Sequence, residues 1–198
     1  MATAMTGDPS SDEAPDLSVG SASDIAIGLI ADTHGWLDPA IHDHFAGVAR
    51  IVHAGDVGDP EVLRELARIA PVTAVRGNID WGPLQDLPLT AVIAVAGVRI
   101  ASLHIAGSPL RPNAAARDLI ARTRPDVLLV GHSHIPVAGR VLGTLWINPG
   151  AAGHHGFHER RTAALLRVAA DGERRLYEID LGRRGRGGAA ARSAAAGG

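Results

Sequence analysis

Five short apolar runs in this 198-residue chain each lead directly to a side chain that can donate oxygen or nitrogen to a cation. Residues 25–30 run into Asp32-Thr33-His34, residues 50–53 into Gly55-Asp56 and residues 72–75 into Gly77-Asn78. Residues 98–104 close on His104, and residues 127–130 lead to Gly131-His132-Ser133-His134. This repetition constrains the fold more than any other feature. The spacings between Asp32, Asp56, Asn78, His104 and His132 are 22 to 28 residues, room for one strand and one connecting element each. In an α/β sheet, the loops at the carboxyl ends of strands line the ligand crevice, so separate loops can converge on one point.

The elements between these motifs follow from period and punctuation. Residues 25–30, 50–53 and 72–75 read as strands. Residues 39–45 read as a short helix with Asp38 as N-cap and Pro39 at the first helical position. Residues 60–70 form a second helix, capped by Asp59 and started by Pro60, with Val62, Leu63, Leu66 and Ile69 on one face. The pattern then changes. Residues 89–95 and 98–104 are β-rich and joined at Ala96-Gly97, a hairpin signal. A helix over 114–123 and a strand over 127–130 follow. Hairpins then bracket Gly143-Thr144 (137–142 and 145–148) and Asp171-Gly172 (163–169 and 173–181). A βαβαβ start followed by mostly antiparallel strands predicts an α/β fold of two packed sheets, a β-sandwich flanked by helices. Residues 24–181 are expected to form this single domain. Residues 1–23, rich in Ser, Asp, Ala and Pro, are expected to be a flexible leader, and the Gly, Ala and Arg of 182–198 a flexible tail.

Composition narrows the partners. Hydrophobic residues make up 46% but aromatics only 3%, so the core must come from Ala, Val, Leu and Ile. A formal charge of -2 gives no overall attraction to nucleic acid or anionic membrane. The domain also lacks a basic stripe, which argues against a nucleic-acid substrate. Cysteine is absent, which excludes disulfides and thiolate ligands and fits a reducing compartment. No apolar run approaches the ~20 residues of a membrane span, and residues 1–23 hold no apolar signal core. The expectation is a cytoplasmic protein with no membrane partner, and a homo-oligomer is compatible with it.

Donor chemistry points to metal. Asp32 and His34 are two apart, as are His132 and His134; in extended backbone such side chains point the same way, so each pair is expected to act as a pincer. Gly55, Gly77 and Gly131 precede ligands, where a missing Cβ lets backbone crowd close. Carboxylate, imidazole and amide oxygen suit Mn, Fe, Zn, Ni or Co, and the lack of thiolates weighs against purely structural zinc. An ionised Asp56 can bridge two divalent ions, while a neutral Asn78 adds a ligand without adding negative charge. Two adjacent ions can bind a phosphate, acidify a water between them and drive in-line hydrolysis. Each motif alone is an ordinary turn or strand end; their joint order is the signal. Elsewhere, His42 and His44 read as surface residues and His53 as a packing residue. His154, His155 and His158 lie in a loop after Asn148-Pro149-Gly150, and Asp80 is expected to fix a ligand's orientation. Arg76 faces either phosphate or solvent.

Asp-x-His, Gly-Asp, Gly-Asn, His and Gly-His-x-His resemble the signature of the calcineurin-like metallophosphoesterase superfamily. The text "LIADTHG", "IVHAGDV", "VRGNID", "GHSHIP" and "INPGAAG" resembles its small bacterial and archaeal phosphodiesterase branch. The resemblance covers about residues 25–181. It implies a β-sandwich flanked by helices, a two-metal centre and hydrolysis of phosphate esters, often diesters, by a hydroxide bridging the ions. Position by position, Asp32, His34, Asp56 and His134 would hold the first ion. Asp56 as bridge, Asn78, His104 and His132 would hold the second, with Asp56, Asn78 and His132 at the chemistry. Two positions depart from the pattern. Ile79 stands where the family commonly has a His acting as acid or phosphate contact, which argues for the small branch and against a phosphomonoesterase of protein substrates; the expected partner is a small phosphodiester or phosphate-ester substrate. His104 is followed by Ile105-Ala106-Gly107, whereas Gly usually follows at once. The rival expectation is a non-catalytic protein-binding scaffold, as in the retromer subunit of the same family; the chemical competence of every ligand favours the enzyme.

Overall fold

The computed structural model describes residues 24–156 and 158–184. The leader over 1–23 and the tail from 185 onward lie outside the described residues. The first sheet comprises β1 (Ile25–Ile30), β2 (Arg50–His53), β3 (Val72–Ala74), β11 (Arg160–Val168) and β12 (Arg174–Arg183), in the order β12-β11-β1-β2-β3. The second comprises β4 (Thr90–Val95), β5 (Val98–Leu103), β8 (Val127–Leu129), β9 (Val137–Val141) and β10 (Thr144–Asn148), in the order β4-β5-β8-β10-β9. Helices α1 (Ala40–His44), α2 (Pro60–Ile69) and α3 (Ala114–Thr123) pack outside, and β6 (Gly107–Ser108) pairs with β7 (Arg111–Pro112) in a small ribbon.

Burial sorts these elements into four layers. Ile27, Leu29 and Val52 of the first sheet meet Val98, Ile100, Val127, Leu129 and Ile147 of the second in the inter-sheet core. The outer face of the first sheet, through Ile30 and Ile51, is covered by Ile41, Phe45, Val62 and Leu66. On the far side, Ala101, Leu103, Leu128 and Trp146 pack against Ala116, Leu119 and Ile120 of α3. The alternation Ile27 and Leu29 inward, Ile30 outward is the period of a strand buried on both faces. This is the α/β sandwich flanked by helices that the sequence leads one to expect.

The caps also follow the sequence. Asp59 accepts from the Glu61 N–H at 2.8 Å, with Pro60 opening α2. Asp38 accepts from the Ala40 N–H at 2.9 Å, and Pro39 is already helical at φ -55° and ψ -29°. Ala96 (φ 52°) and Gly97 (φ 75°) make the paired positive-φ turn of a tight hairpin.

Two expectations need correction and one a refinement. The second turn falls on Leu142 (φ 50°) and Gly143 (φ 84°), not on Gly143-Thr144. Thr144 instead opens β10 opposite Val141, its hydroxyl donating to the Pro125 carbonyl at 3.0 Å. The strands after β3 pair mostly antiparallel, as expected, but the centre of the second sheet is parallel. β5 and β10 both run parallel to β8: α3 carries the chain back across the sheet between β5 and β8, and β9 reverses it between β8 and β10. Finally, the last strand runs past Leu181: Arg183 pairs with Arg160 in β12, and the Arg184 N–H donates to Glu159 O at 2.7 Å.

Parallel pairing is what assembles the site. Ile30 lies opposite His53, and His53 opposite Ala74, so β1, β2 and β3 end side by side. In the second sheet Ser102 pairs with Leu129, and Leu129 with Ile147, which aligns the ends of β5, β8 and β10. The loops following all six strands therefore emerge at one end of the sandwich.

Candidate metal centre

The donor loops adopt an unusual backbone. Asp32 (φ 54°), His34 (φ 51°), Asp56 (φ 53°), His132 (φ 69°) and His134 (φ 59°) all sit in the left-handed region, which few non-glycine residues occupy and which Asp and His tolerate best. The extended pincer is therefore replaced by tight left-handed turns that curl both members of each pair inward. Backbone bonds lock the first two loops together: Asp32 N–H to Gly55 O at 3.0 Å, His34 N–H to Asp56 O at 3.0 Å and Gly35 N–H to Val57 O at 2.7 Å. Gly77 crosses so close that a Cβ there would lie 2.0 Å from Asp56 N. No other residue fits.

These loops bring seven side chains together. One oxygen or nitrogen from each of Asp32, His34, Asp56 and His134 lies within 4.8 Å of the others, and Asp56, His104 and His132 form a second such group. Asp56 belongs to both. In the first group the Nε2 atoms of His34 and His134 are 3.2 Å apart, and His134 Nε2 is 3.3 Å from Asp32 Oδ1. In the second, His104 Nε2 lies 3.2 Å from Asp56 Oδ1 and 3.1 Å from Asn78 Oδ1. The fit to a metal ion can be tested on these distances. Two imidazole nitrogens ~2.0–2.1 Å from one ion and 3.2 Å from each other subtend about 100° at it, close to tetrahedral or octahedral geometry. The donor set suits a divalent cation.

The supporting contacts orient the donors. His104 Nδ1–H donates to the Ala54 carbonyl at 2.8 Å, which turns Nε2 toward Asp56 and Asn78. Such a bond to the far nitrogen is how metal-binding imidazoles are usually fixed. The Asp32 carboxylate accepts from the His132 N–H at 3.1 and 3.2 Å, and Asp56 Oδ1 accepts from the Ile79 N–H at 3.1 Å. Asp80 supports the donors through the backbone of their loops. Its two oxygens accept from the Gly58 N–H at 2.8 Å and the Gly77 N–H at 2.7 Å, tying the Asp56 loop to the Asn78 loop. Asn148 does the same for the histidine pair, donating to Gly131 O and Ser133 Oγ, both at 2.9 Å.

Electrostatics follow from this packing. Burial opposes ionisation of Asp56, yet hydrogen bonds from His104 and the Ile79 N–H, with the nearby imidazoles, hold its carboxyl below the ordinary range. Burial likewise opposes charge on His104, but its bond to Asp56 and the fields of Asp32 and Asp56 raise its pKa. An imidazolium proton and a divalent cation answer the same need there, positive charge between Nε2 and two oxygens. His34 is lowered, first by burial. His53 is fully buried and pushed down to about 4 by that burial. Neutral His53 has both nitrogens occupied: Nδ1 accepts from the Gly55 N–H at 3.2 Å and Nε2 donates to Thr33 Oγ1 at 2.9 Å. The Thr33 hydroxyl in turn donates to Val57 O at 3.0 Å. His53 is a packing residue that welds the Asp32 and Asp56 loops from below.

The loop after β10 adds residues that the sequence left undecided or missed. The rings of His155 and His34 meet edge to face at 5.6 Å, and His154 stacks on Trp36 at 3.7 Å. His158 caps the Arg160 N–H at 3.3 Å, while His42 and His44 are exposed. Arg184 holds the loop by donating to the carbonyls of Gly153, His155 and His158. Tail-like composition concealed Arg184, whereas Asn148 had a usable signal: a polar residue ending an apolar strand before Pro-Gly. Arg76 directs a guanidinium N–H to Gln85 O at 3.2 Å. Among the described residues, no helix is long and apolar enough to cross a membrane.

A model of the calcineurin-like phosphoesterase superfamily domain matches residues 25–171. A probable metallophosphoesterase of Methanocaldococcus jannaschii is 35% identical over 133 residues, covering 63% of this chain and 67% of that protein. Among solved structures, vacuolar protein sorting 29 of Cryptosporidium parvum aligns with a TM-score of 0.63 at 19% identity, covering 79% of this chain and 97% of the other. A structure described as a novel archaeal phosphodiesterase aligns with a TM-score of 0.59 at 23% identity, over 78% of this chain and all of that one. The two structural likenesses speak for the fold.

Proposed function

The chain belongs to the calcineurin-like phosphoesterase superfamily, and on that premise we propose that it is a phosphodiesterase working with two divalent metal ions. The observation that carries this reading is the position of Asp56, whose carboxylate is common to both donor groups. Asp32, His34 and His134 complete one set of ligands, and Asn78, His104 and His132 the other. When bound, two such ions supply positive charge for a phosphate and an acidified water. The protein's own part is orientation. The Ala54 carbonyl and the Ile79 N–H aim His104 and Asp56, while Asn78 contributes an oxygen without offsetting the charge that attracts an anion. Ile79 offers the substrate no side-chain proton, which favours esters whose leaving group departs unaided over alkyl monoesters. The likeness to vacuolar protein sorting 29 is one of fold and keeps a protein-binding platform as the rival outcome.

The test begins with protein stripped by a chelator. Adding Mn²⁺ should restore hydrolysis of bis-p-nitrophenyl phosphate, with two ions bound per chain. Asp56→Asn should lose both ions and most activity with its fold intact, whereas exposed His42→Ala should retain both. Unchanged metal content and turnover in Asp56→Asn would refute the bridging role, and an inactive metal-loaded wild type would favour the platform.

A further inference from the structure

Beside Asn78 and His104 the surface opens into a cleft of about 600 Å³, within the roughly 300–1,000 Å³ of small-molecule sites. One wall is the segment from Arg76 to Leu89, which includes the 3₁₀ turn Gly82–Asp86; the other is formed by Leu103, Ile105 and Ala115. Three large apolar side chains on this cleft remain open to solvent: Trp81 at 71%, Leu89 at 63% and Ile105 at 44%. Single exposed apolar residues are normal. Three around one cleft that borders two donors of the metal centre are a surface built to be covered.

The polar groups narrow what covers it. Asp80 lines the cleft, but the N–H groups of Gly58 and Gly77 occupy its carboxylate. Arg76 is the one guanidinium among the described lining residues, anchored through Gln85 O. The cleft therefore offers an apolar interior, a positive edge and no uncommitted carboxylate, which suits an anion carrying an apolar group. Trp81 decides the shape of that group. The other two tryptophans are used internally, Trp146 in the core and Trp36 against His154. Trp81 keeps its indole in solvent at the mouth, where a flat ring gains most from stacking.

Resting on the phosphodiesterase reading, we propose that this cleft binds a planar aromatic substituent of the phosphodiester, stacked on Trp81, while the phosphate lies at the Asn78 and His104 side. Trp81 is thus a specificity residue. An aryl group and a nucleobase share this chemistry, and the test separates them.

The test is calorimetric and independent of turnover. Mn²⁺-loaded full-length protein is titrated with cyclohexylphosphonate, phenylphosphonate and the 5′-phosphonate of thymidine, which share one head group. Planar ligands should bind roughly tenfold tighter than the bulkier but non-planar cyclohexyl compound, the loss typical when one base-stacking aromatic is removed. In Trp81→Ala that preference should fall to within about twofold, and because Trp81 is exposed its removal should leave the melting point unchanged. A thymidine compound favoured over phenyl assigns a nucleotide; phenyl equal or better assigns an aryl ester. Equal binding of cyclohexyl and planar ligands, or a preference that survives Trp81→Ala, overturns the inference. A protein that shows the planar preference but hydrolyses no diester would fail the phosphodiesterase reading while keeping the cleft.

Discussion

Asp80→Ala tests whether the donor loops are held by one buried carboxylate. In the wild type its oxygens accept from the Gly58 N–H at 2.8 Å and the Gly77 N–H at 2.7 Å, and the residue is buried. A hydrogen bond to a charged group contributes roughly 1.5–3 kcal/mol net. Gly58 is exposed and Gly77 half-buried, so water can reach both N–H groups once the carboxylate is gone, and the lower end of that range applies. Two bonds then give a loss of about 3 kcal/mol. For a domain of this size each kcal/mol moves the melting point by roughly 2–4 °C, so Asp80→Ala should melt about 6–12 °C lower. Asp80→Asn retains one acceptor and should lose at least half as much. Because the clamp joins the loops of Asp56 and Asn78, Mn²⁺ affinity should also fall roughly 10- to 100-fold, as when supporting residues of metal ligands are removed. Circular dichroism melts of metal-free protein and calorimetric Mn²⁺ titration measure the two effects separately. An Asp80→Ala variant that melts within 2 °C of wild type and binds Mn²⁺ with the same affinity would show the clamp to be idle.

Two further predictions rest on single residues. The folded pKa of His53, about 4 through burial, lies below its unfolded value of 6.5; the unfolded chain therefore takes up the proton first as pH falls. Stability present above pH 6.5 should be lost between there and about pH 4, by up to about 3 kcal/mol at 1.36 kcal/mol per unit. Urea unfolding of wild type and His53→Gln across that window should show a steeper decline in the wild type, and parallel curves would contradict the buried neutral imidazole. At Ile79, log rate plotted against leaving-group pKa should be steep in the wild type and flatten in Ile79→His, since general acid catalysis is worth roughly 10² to 10⁴ in rate. A flat wild-type plot would mean that another group already protonates the leaving oxygen.

What the sequence made legible and what it hid have physical causes. The positions of Asp32, Asp56, Asn78, His104 and His132 could be read because apolar runs mark strands and donors follow each run. Parallel register then brings the strand ends level. The left-handed backbone at five donors was not legible, because side-chain period distinguishes helix from strand and says nothing about the sign of φ in a turn. The end of β12 was hidden for a related reason. Gly182 and Arg183 look like tail, but strand pairing uses backbone groups that every residue carries, and Arg160 supplies the partner. The parallel centre of the second sheet was open to inference, since the helix over 114–123 between two strands is the mark of a crossover. The cleft at Trp81 arises from a 3₁₀ turn too short to give a periodic signal.

The distribution of backbone strain strengthens the metal reading without recourse to any relative. Eight non-glycine residues have positive φ among the described residues. Ala96 and Leu142 turn hairpins, and Arg124 is the left-handed C-cap of α3. The remaining five are Asp32, His34, Asp56, His132 and His134, all candidate donors. A left-handed non-glycine residue costs on the order of 1 kcal/mol or more, so five cost on the order of 5 kcal/mol, comparable to the whole stability of many domains. That cost is borne by contacts below the site: the His53–Thr33–Val57 chain, the Asp80 clamp and the Gly77 crossing. Those contacts fix the donors from below, and the donors' lone pairs face one another at 3.1 to 3.3 Å. A cation bound only by the folded state would draw on those lone pairs and raise stability with its concentration. Strain concentrated at the donors, five of the eight such residues described, with support from beneath, is the arrangement expected where geometry at a bound ion outweighs stability of the empty chain.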